Sequence, residues 1–192
     1  MAAGNTIELR RDCDATEIPF GGVQKLDAGT RVRIMQSLGG TFTIQTEHGH
    51  MLRVEGKDAD ALGLDQQAQS APPAAFSDKA VWDLLKTVYD PEIPVNIVDL
   101  GLIYACEIGE LDGGRKIDIT MSMTAPGCGM ADVLKAEIER KLSQIADVKQ
   151  AHVEVVFDPP WGPERMSEAA KLQLGLDLDY TPVSAFPIAR NR

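Results

Sequence analysis

Residues 116–142 read KIDITMSMTAPGCGMADVLKAEIERKL, and the reading of this stretch decides the fold. It opens as a strand. Ile117, Ile119 and Met121 alternate with Asp118, Thr120 and Ser122, the period of a strand with one buried face. It closes as a helix, with Met130, Val133, Leu134, Ile138 and Leu142 at helical spacing and Lys135, Glu139 and Arg140 on other faces. Between the two, Thr124-Ala125-Pro126-Gly127-Cys128-Gly129 makes a turn. Pro126 fixes φ and removes a donor, while the glycines open backbone angles closed to other residues. Cys128 stands at the end of this turn, just before the expected helix. There, unpaired N–H groups and the positive end of the helix dipole favour thiolate over thiol. A thiolate is what a nucleophile or a soft-metal ligand must be. The alternative is a half-buried turn residue without chemistry.

Working outward, Leu102–Ile108 reads as a strand, and Leu111-Asp112-Gly113-Gly114 turns it back into the strand at Lys116. Upstream, Ser77 is a fair N-cap for a helix with the apolar stripe Val81, Leu84, Leu85 and Val88, stopped by Asp90-Pro91. The loop from Asp90 to Leu102 carries two prolines and three acids, yet also several large apolar residues, so it is expected to pack down. Downstream, residues 152–157 form a third strand, able to lie parallel to a neighbour after the strand–helix passage. Asp158-Pro159-Pro160-Trp161-Gly162-Pro163 cannot continue a sheet, and 164–174 looks helical. Residues 77–175 are therefore expected to be α+β, a small mixed sheet with helices on one face, followed by an extended tail over 176–192.

Residues 1–64 read differently. Short alternating runs at 6–10, 31–35, 41–45 and 51–54 are joined at glycines, the pattern of a small all-β, barrel-like domain, with a helical turn near 58–64. Residues 65–76, poor in large apolar groups, read as a linker.

The net charge of −10 and sequence pI of about 4.7 argue against binding nucleic acid or an anionic membrane by general electrostatics. Residues 1–6 lack the basic and apolar regions of a secretory signal, and no apolar run approaches the roughly 20 residues of a membrane span. Three widely spaced cysteines make no disulfide framework. The cytoplasm, with reduced thiols, is the simplest compartment.

Chemistry can gather around Cys128, because Thr124, Asp90, Glu92 and Asp99 lie in loops able to converge at the same sheet end. Capping and turn hydrogen bonds are the commoner work of Asp beside Pro. Cys106 reads as a buried strand thiol. Cys13 has Arg10 and Arg11 on one side of the ledger and Asp12 and Asp14 on the other, which leaves its state open. His48 and His50 flank a turn glycine with too few ligands for a metal, and His152 lies at the wrong end of the helix to serve Cys128 as a base. Asp158–Trp161 reads as a brace or a protein contact. The usual enzyme motifs are missing.

Taken together, Asp90-Pro91-Glu92-Ile93-Pro94, Ile97-Val98-Asp99-Leu100-Gly101-Leu102-Ile103-Tyr104, Met123-Thr124-Ala125-Pro126-Gly127-Cys128 and Asp158-Pro159-Pro160-Trp161 resemble the MIP-type (PaaD-like) metal–sulfur cluster assembly domain. The resemblance covers about residues 76–175. Arg11-Asp12-Cys13, Ile18-Pro19-Phe20-Gly21, Gln36–Gly40 and Asp58–Gly63 are similar to an extra domain carried by one bacterial branch of that family. The resemblance implies an accessory factor for iron–sulfur protein maturation rather than an enzyme. Its reactive cysteine falls on Cys128, which would bind iron or an iron–sulfur cluster transiently, with Thr124, Glu92 and Asp99 beside it. It also implies an assembly scaffold and client apoproteins as partners, and a homodimer. The sequence departs from the family pattern at Gly129, where proline often follows the cysteine.

Overall fold

A computed structural model of the chain describes residues 6–65 and 75–176. The expected linker thus falls mostly outside the described residues, as does the tail beyond residue 176.

The second half follows the order read from the sequence. Helix α1 (Asp78–Leu85) is capped by Ser77, whose hydroxyl accepts from the Ala80 N–H at 3.0 Å. Its stripe is realised: Val81, Leu85 and Val88 are fully buried. Strands β7 (Ile103–Leu111) and β8 (Gly114–Met121) form an antiparallel hairpin, and β9 (Val148–Val155) adds in parallel to β8. Helix α2 (Ala131–Leu142) makes the crossover and packs against β9, with α1 against α2. Ile117, Ile119 and Met121 point inward from β8 to meet Leu134, Ile138 and Leu142 of α2 in one apolar cluster. Strand β9 begins four residues earlier than expected.

After a short 3-10 turn at Pro163–Arg165, helix α3 (Glu168–Gln173) closes this half. The irregular segment before it is a brace. A register shift between Ile103 and Ala105 sets Tyr104 apart from the ladder; its hydroxyl donates to the Pro159 carbonyl at 3.0 Å, and Arg165 lies over its ring at 4.1 Å. The Trp161 indole N–H donates to the Leu100 carbonyl at 2.8 Å. This contact pins Leu100, in the segment that follows the Asp90 loop.

Residues 6–65 are all-β, as expected, with strands β1 (Thr6–Glu8), β2 (Cys13–Ile18), β3 (Val23–Leu26), β4 (Arg31–Leu38), β5 (Thr41–Thr46) and β6 (Met51–Glu55). They pair antiparallel in the order β1-β4-β5-β6-β2-β3, leaving β1 and β3 at the two ends of the sheet. The hairpin β2–β3 was not legible in the sequence. The 3-10 segment Gly56–Leu62 covers the end of the sheet, where Ala59, Ala61 and Leu62 join Leu9, Val32, Ile44 and Leu52 in a second apolar cluster.

The two halves meet through polar groups. Arg53 of β6, 2% exposed, is paired with the buried Glu137 of α2, and Lys141 Nζ lies 2.9 Å from the same carboxylate. Lys141 also donates across to the Gly39 carbonyl (3.1 Å) and, within its own half, to that of Thr87 (2.9 Å). Thr43 Oγ1 donates to the Pro91 carbonyl and Gln36 Nε2 to that of Asp90.

Candidate functional site

The floor of the site is the loop after α1. Asp90 Oδ1 accepts from the N–H groups of both Glu92 and Ile93 at 2.8 Å, and the Asp90 N–H donates to the Val95 carbonyl. A short polar side chain before proline thus closes a tight turn, the bland role expected for such an Asp. Yet Asp90 is only 3% exposed. Burial pushes its carboxyl above the usual carboxylate range, against the pull of the two N–H donors and the nearby Arg53 guanidinium. Glu92 is raised as well, first by desolvation and then by the charge of Asp90.

The wall opposite is the turn from Thr124 to Gly129. Cys128 is half-buried, and its thiol donates toward the Pro19 carbonyl at 4.0 Å. Its field is set by burial first, by the Met130 N–H, which favours the thiolate, and by Glu92 and Asp90, which oppose it. The net direction is upward. This corrects the expectation of a stabilised thiolate. Helix α2 begins only at Ala131 with Met130 as N-cap, so Cys128 sits outside the cap, and two carboxylates face it where the sequence reading counted only the helix end. Burial and the two carboxylates thus favour the thiol over the thiolate.

The structure therefore brings Cys128, Glu92 and Asp90 within electrostatic reach of one another. Thr124 is half-buried in the same turn as the cysteine. Asp99 is fixed by hydrogen bonds of its own: its Oδ2 accepts from Asn96 Nδ2 at 2.6 Å, and its carbonyl accepts from the Ser167 N–H at 2.8 Å. Asp90 is the residue underweighted in the sequence; its place beside Pro91 carried a signal, but its burial is tertiary. Among the described residues no group of three His, Cys, Asp or Glu is placed to hold a metal by itself.

The other cysteines lie apart. Cys13 is 5% exposed in the core of the N-terminal sheet, and burial raises its thiol, which resolves the balance of charges left open above. Cys106 is half-buried on β7, raised by burial and by Asp78. His152 Nδ1 lies 3.8 Å from Glu139 Oε1 on α2.

The N-terminal sheet supplies a third wall. Its turn Ile18–Gly22 lies on the cysteine turn, backbone against backbone: a Cβ on Gly21 would meet the Gly129 carbonyl oxygen at 2.2 Å, and a Cβ on Gly129 would meet the Phe20 carbonyl oxygen at 2.1 Å. Gly129, the point of departure from the family pattern, is thus a residue that the N-terminal contact requires to be small.

Comparison with known proteins agrees with the motifs. A family model described as iron-sulfur cluster assembly protein matches residues 78–155. A protein of Porphyromonas gingivalis named Fe-S protein maturation auxiliary factor is 45% identical over 92 residues, which cover 48% of this chain and 85% of that protein. The Bacillus subtilis auxiliary factor YitW is 40% identical over 92 residues, 48% of this chain and 87% of that protein. The Staphylococcus aureus auxiliary factor SufT is 34% identical over 89 residues, 46% of this chain and 98% of that protein. A solved domain of unknown function (DUF59) from Bacillus anthracis is 38% identical, covers 52% of this chain and 92% of that chain, and superposes with a TM-score of 0.46. The shared motifs, the family match and these identities place the chain in the iron–sulfur cluster assembly protein family.

Proposed function

We propose that this protein is an accessory factor for iron–sulfur protein maturation that holds iron or a cluster transiently through Cys128. The observation that carries this reading is the cysteine turn, which presents a half-buried thiol to two carboxylates in the segment that the maturation factors share. The relatives' names supply the process, and the chemistry of this site supplies the role. One thiolate cannot fill the protein-ligand positions of a typical two-iron or four-iron cluster. A second chain, a client's cysteines or a small thiol must complete the set, and an incomplete set suits handing on. The raised thiol fits the same use. Metal displaces the proton on binding, so the cargo is held only while the metal outcompetes it. Glu92 is the carboxylate best placed at the rim to take the released proton or a hard iron ligand position; Thr124 and Asp99 complete the surrounding loops. The assembly scaffold and client apoproteins are the partners, and pairing of two chains is one way to complete the ligand set.

Anaerobic reconstitution with iron and sulfide tests this. Cys128→Ser should lose the bound iron and sulfide of the wild type while keeping its circular dichroism. Unchanged iron and sulfide in that variant would overturn the carrier role.

The protonated state of the thiol favours a second reading, an adaptor that bridges clients and machinery without metal. Trp161 is a poor probe of it, since its indole is committed to Leu100. Phe157, 47% exposed beside the same loop, is the better one. An adaptor keeps client capture in Cys128→Ser and loses it in Phe157→Ser; a carrier does the reverse for cluster delivery.

A further inference from the structure

Beyond its shared domain this chain carries the N-terminal sheet, and one edge of that sheet sits on the cysteine. We propose that the turn Ile18–Gly22 is a displaceable cover over Cys128, which shields the sulfur until the N-terminal half moves away.

Three observations support it. The contact is built for close approach. Gly21 and Gly129 face each other with no room for a Cβ on either, and the Pro19 carbonyl stands over the sulfur as its acceptor. Secondly, the halves keep separate apolar clusters and are joined by hydrogen bonds and ion pairs: Arg53 to Glu137, Lys141 to Gly39, Thr43 to Pro91 and Gln36 to Asp90. A seam of this kind can part without either cluster being opened, because water replaces its hydrogen bonds; Ile18 and Met130, buried in the two facing turns but in neither cluster, are the apolar groups that its opening concerns. The buried Arg53 Nη1 has no acceptor there among the described residues. Thirdly, the cover presents Phe20 to solvent at 73% exposure, directly beside the cysteine turn. A side chain so exposed adds no packing that would hold the turn down on the sulfur. The raised thiol agrees with this, since burial is its leading cause.

The cover is independent of whether Cys128 meets iron, and its test uses no metal. The full chain is treated with iodoacetamide, and alkylation at each cysteine is followed by peptide mass spectrometry, with Cys106 as the reference within the same molecule. In the wild type, Cys128 should react at least about tenfold more slowly than in the urea-unfolded chain at the same pH, as for a group reached through local opening. Gly129→Ala and Gly21→Ala wedge the two turns apart, and each should speed alkylation at Cys128 by about threefold or more while Cys106 is unchanged. Rates at Cys128 that stay at the wild-type value in both folded variants would overturn the proposal. Should neither variant fold, the wild type in urea below its unfolding transition decides: a Cys128 rate that rises there while Cys106 is unchanged supports the cover, and one that rises only together with Cys106 in the global transition rejects it. Failure here leaves the carrier role untouched, and loss of the carrier role leaves the cover untouched.

Discussion

The two halves of the molecule reach the cysteine turn by different physics. Residues 75–176 carry Cys128, Glu92 and Asp90 on loops anchored in a continuous apolar cluster. Residues 6–65 bury a cluster of their own and meet the site through main-chain atoms of the turn Ile18–Gly22 and a polar seam. Apolar burial folds each half and is non-directional. The ion pairs between them specify where one sits on the other, at small net gain once desolvation is counted. The difference teaches that the site is stable on one side and adjustable on the other.

Three experiments would break or sharpen that contrast. The largest effect is expected at the seam. Glu137→Met leaves the half-buried Lys141 without its carboxylate and the buried Arg53 with Glu55 alone, and should cost about 3 kcal/mol in urea denaturation. Replacing all three charges by methionine should be far milder, because no orphaned ion remains. Equal costs for the single and the triple variant would show that the seam is a packing interface after all.

The cores come next. Leu134→Ala and Leu52→Ala each empty a fully buried position and should cost about 2–5 kcal/mol. Trp82 and Trp161 both lie in the second half, so fluorescence reports that half while far-ultraviolet circular dichroism reports both. Leu134→Ala should move the fluorescence transition, and Leu52→Ala chiefly the dichroism. Both signals moving together in both variants would mean one cooperative unit.

The smallest effect concerns charge. The Cys128 thiol is raised, so the protonated form dominates at neutral pH and reactivity grows only as pH climbs past the range of a free cysteine. The sign for stability follows: the unfolded chain ionises first, so the contribution of this group is full below the unfolded pKa and is lost as pH rises through the folded one. Glu92→Gln removes a facing charge, which should shift the alkylation-versus-pH midpoint of Cys128 downward by a fraction of a unit. A midpoint that stays or rises would deny that Glu92 faces the sulfur.

How much of this was legible in the sequence depends on where the signal lived. The strand–turn–helix passage at 116–142 announced itself, because Ile117, Ile119 and Met121 and then Leu134, Ile138 and Leu142 are large apolar residues at clean periods. The hairpin β2–β3 did not. Of its buried residues Cys13 and Ala15 are small and Ile18 breaks their alternation, and β3 buries only Leu26. Cys128 is marked by its place in a turn, but the direction of its shift is not, since the carboxylates that oppose the thiolate come from a loop more than thirty positions away. The seat between Gly21 and Gly129 left even less trace. Two glycines far apart in the chain mark it, and nothing local says that they face each other. Glu137 likewise reads as a surface residue on the helix until Arg53 arrives from the other half.

The account rests most heavily on Cys128 as the point through which cargo passes, and anaerobic transfer to an apo iron–sulfur protein tests that directly. The chain is preloaded with iron and sulfide, desalted and mixed with the acceptor, whose recovered activity is followed in time. Delivery by the wild type should exceed that from free iron and sulfide, and Cys128→Ala should fall to the level of the free ions. Delivery by Cys128→Ala at the wild-type rate would contradict the account.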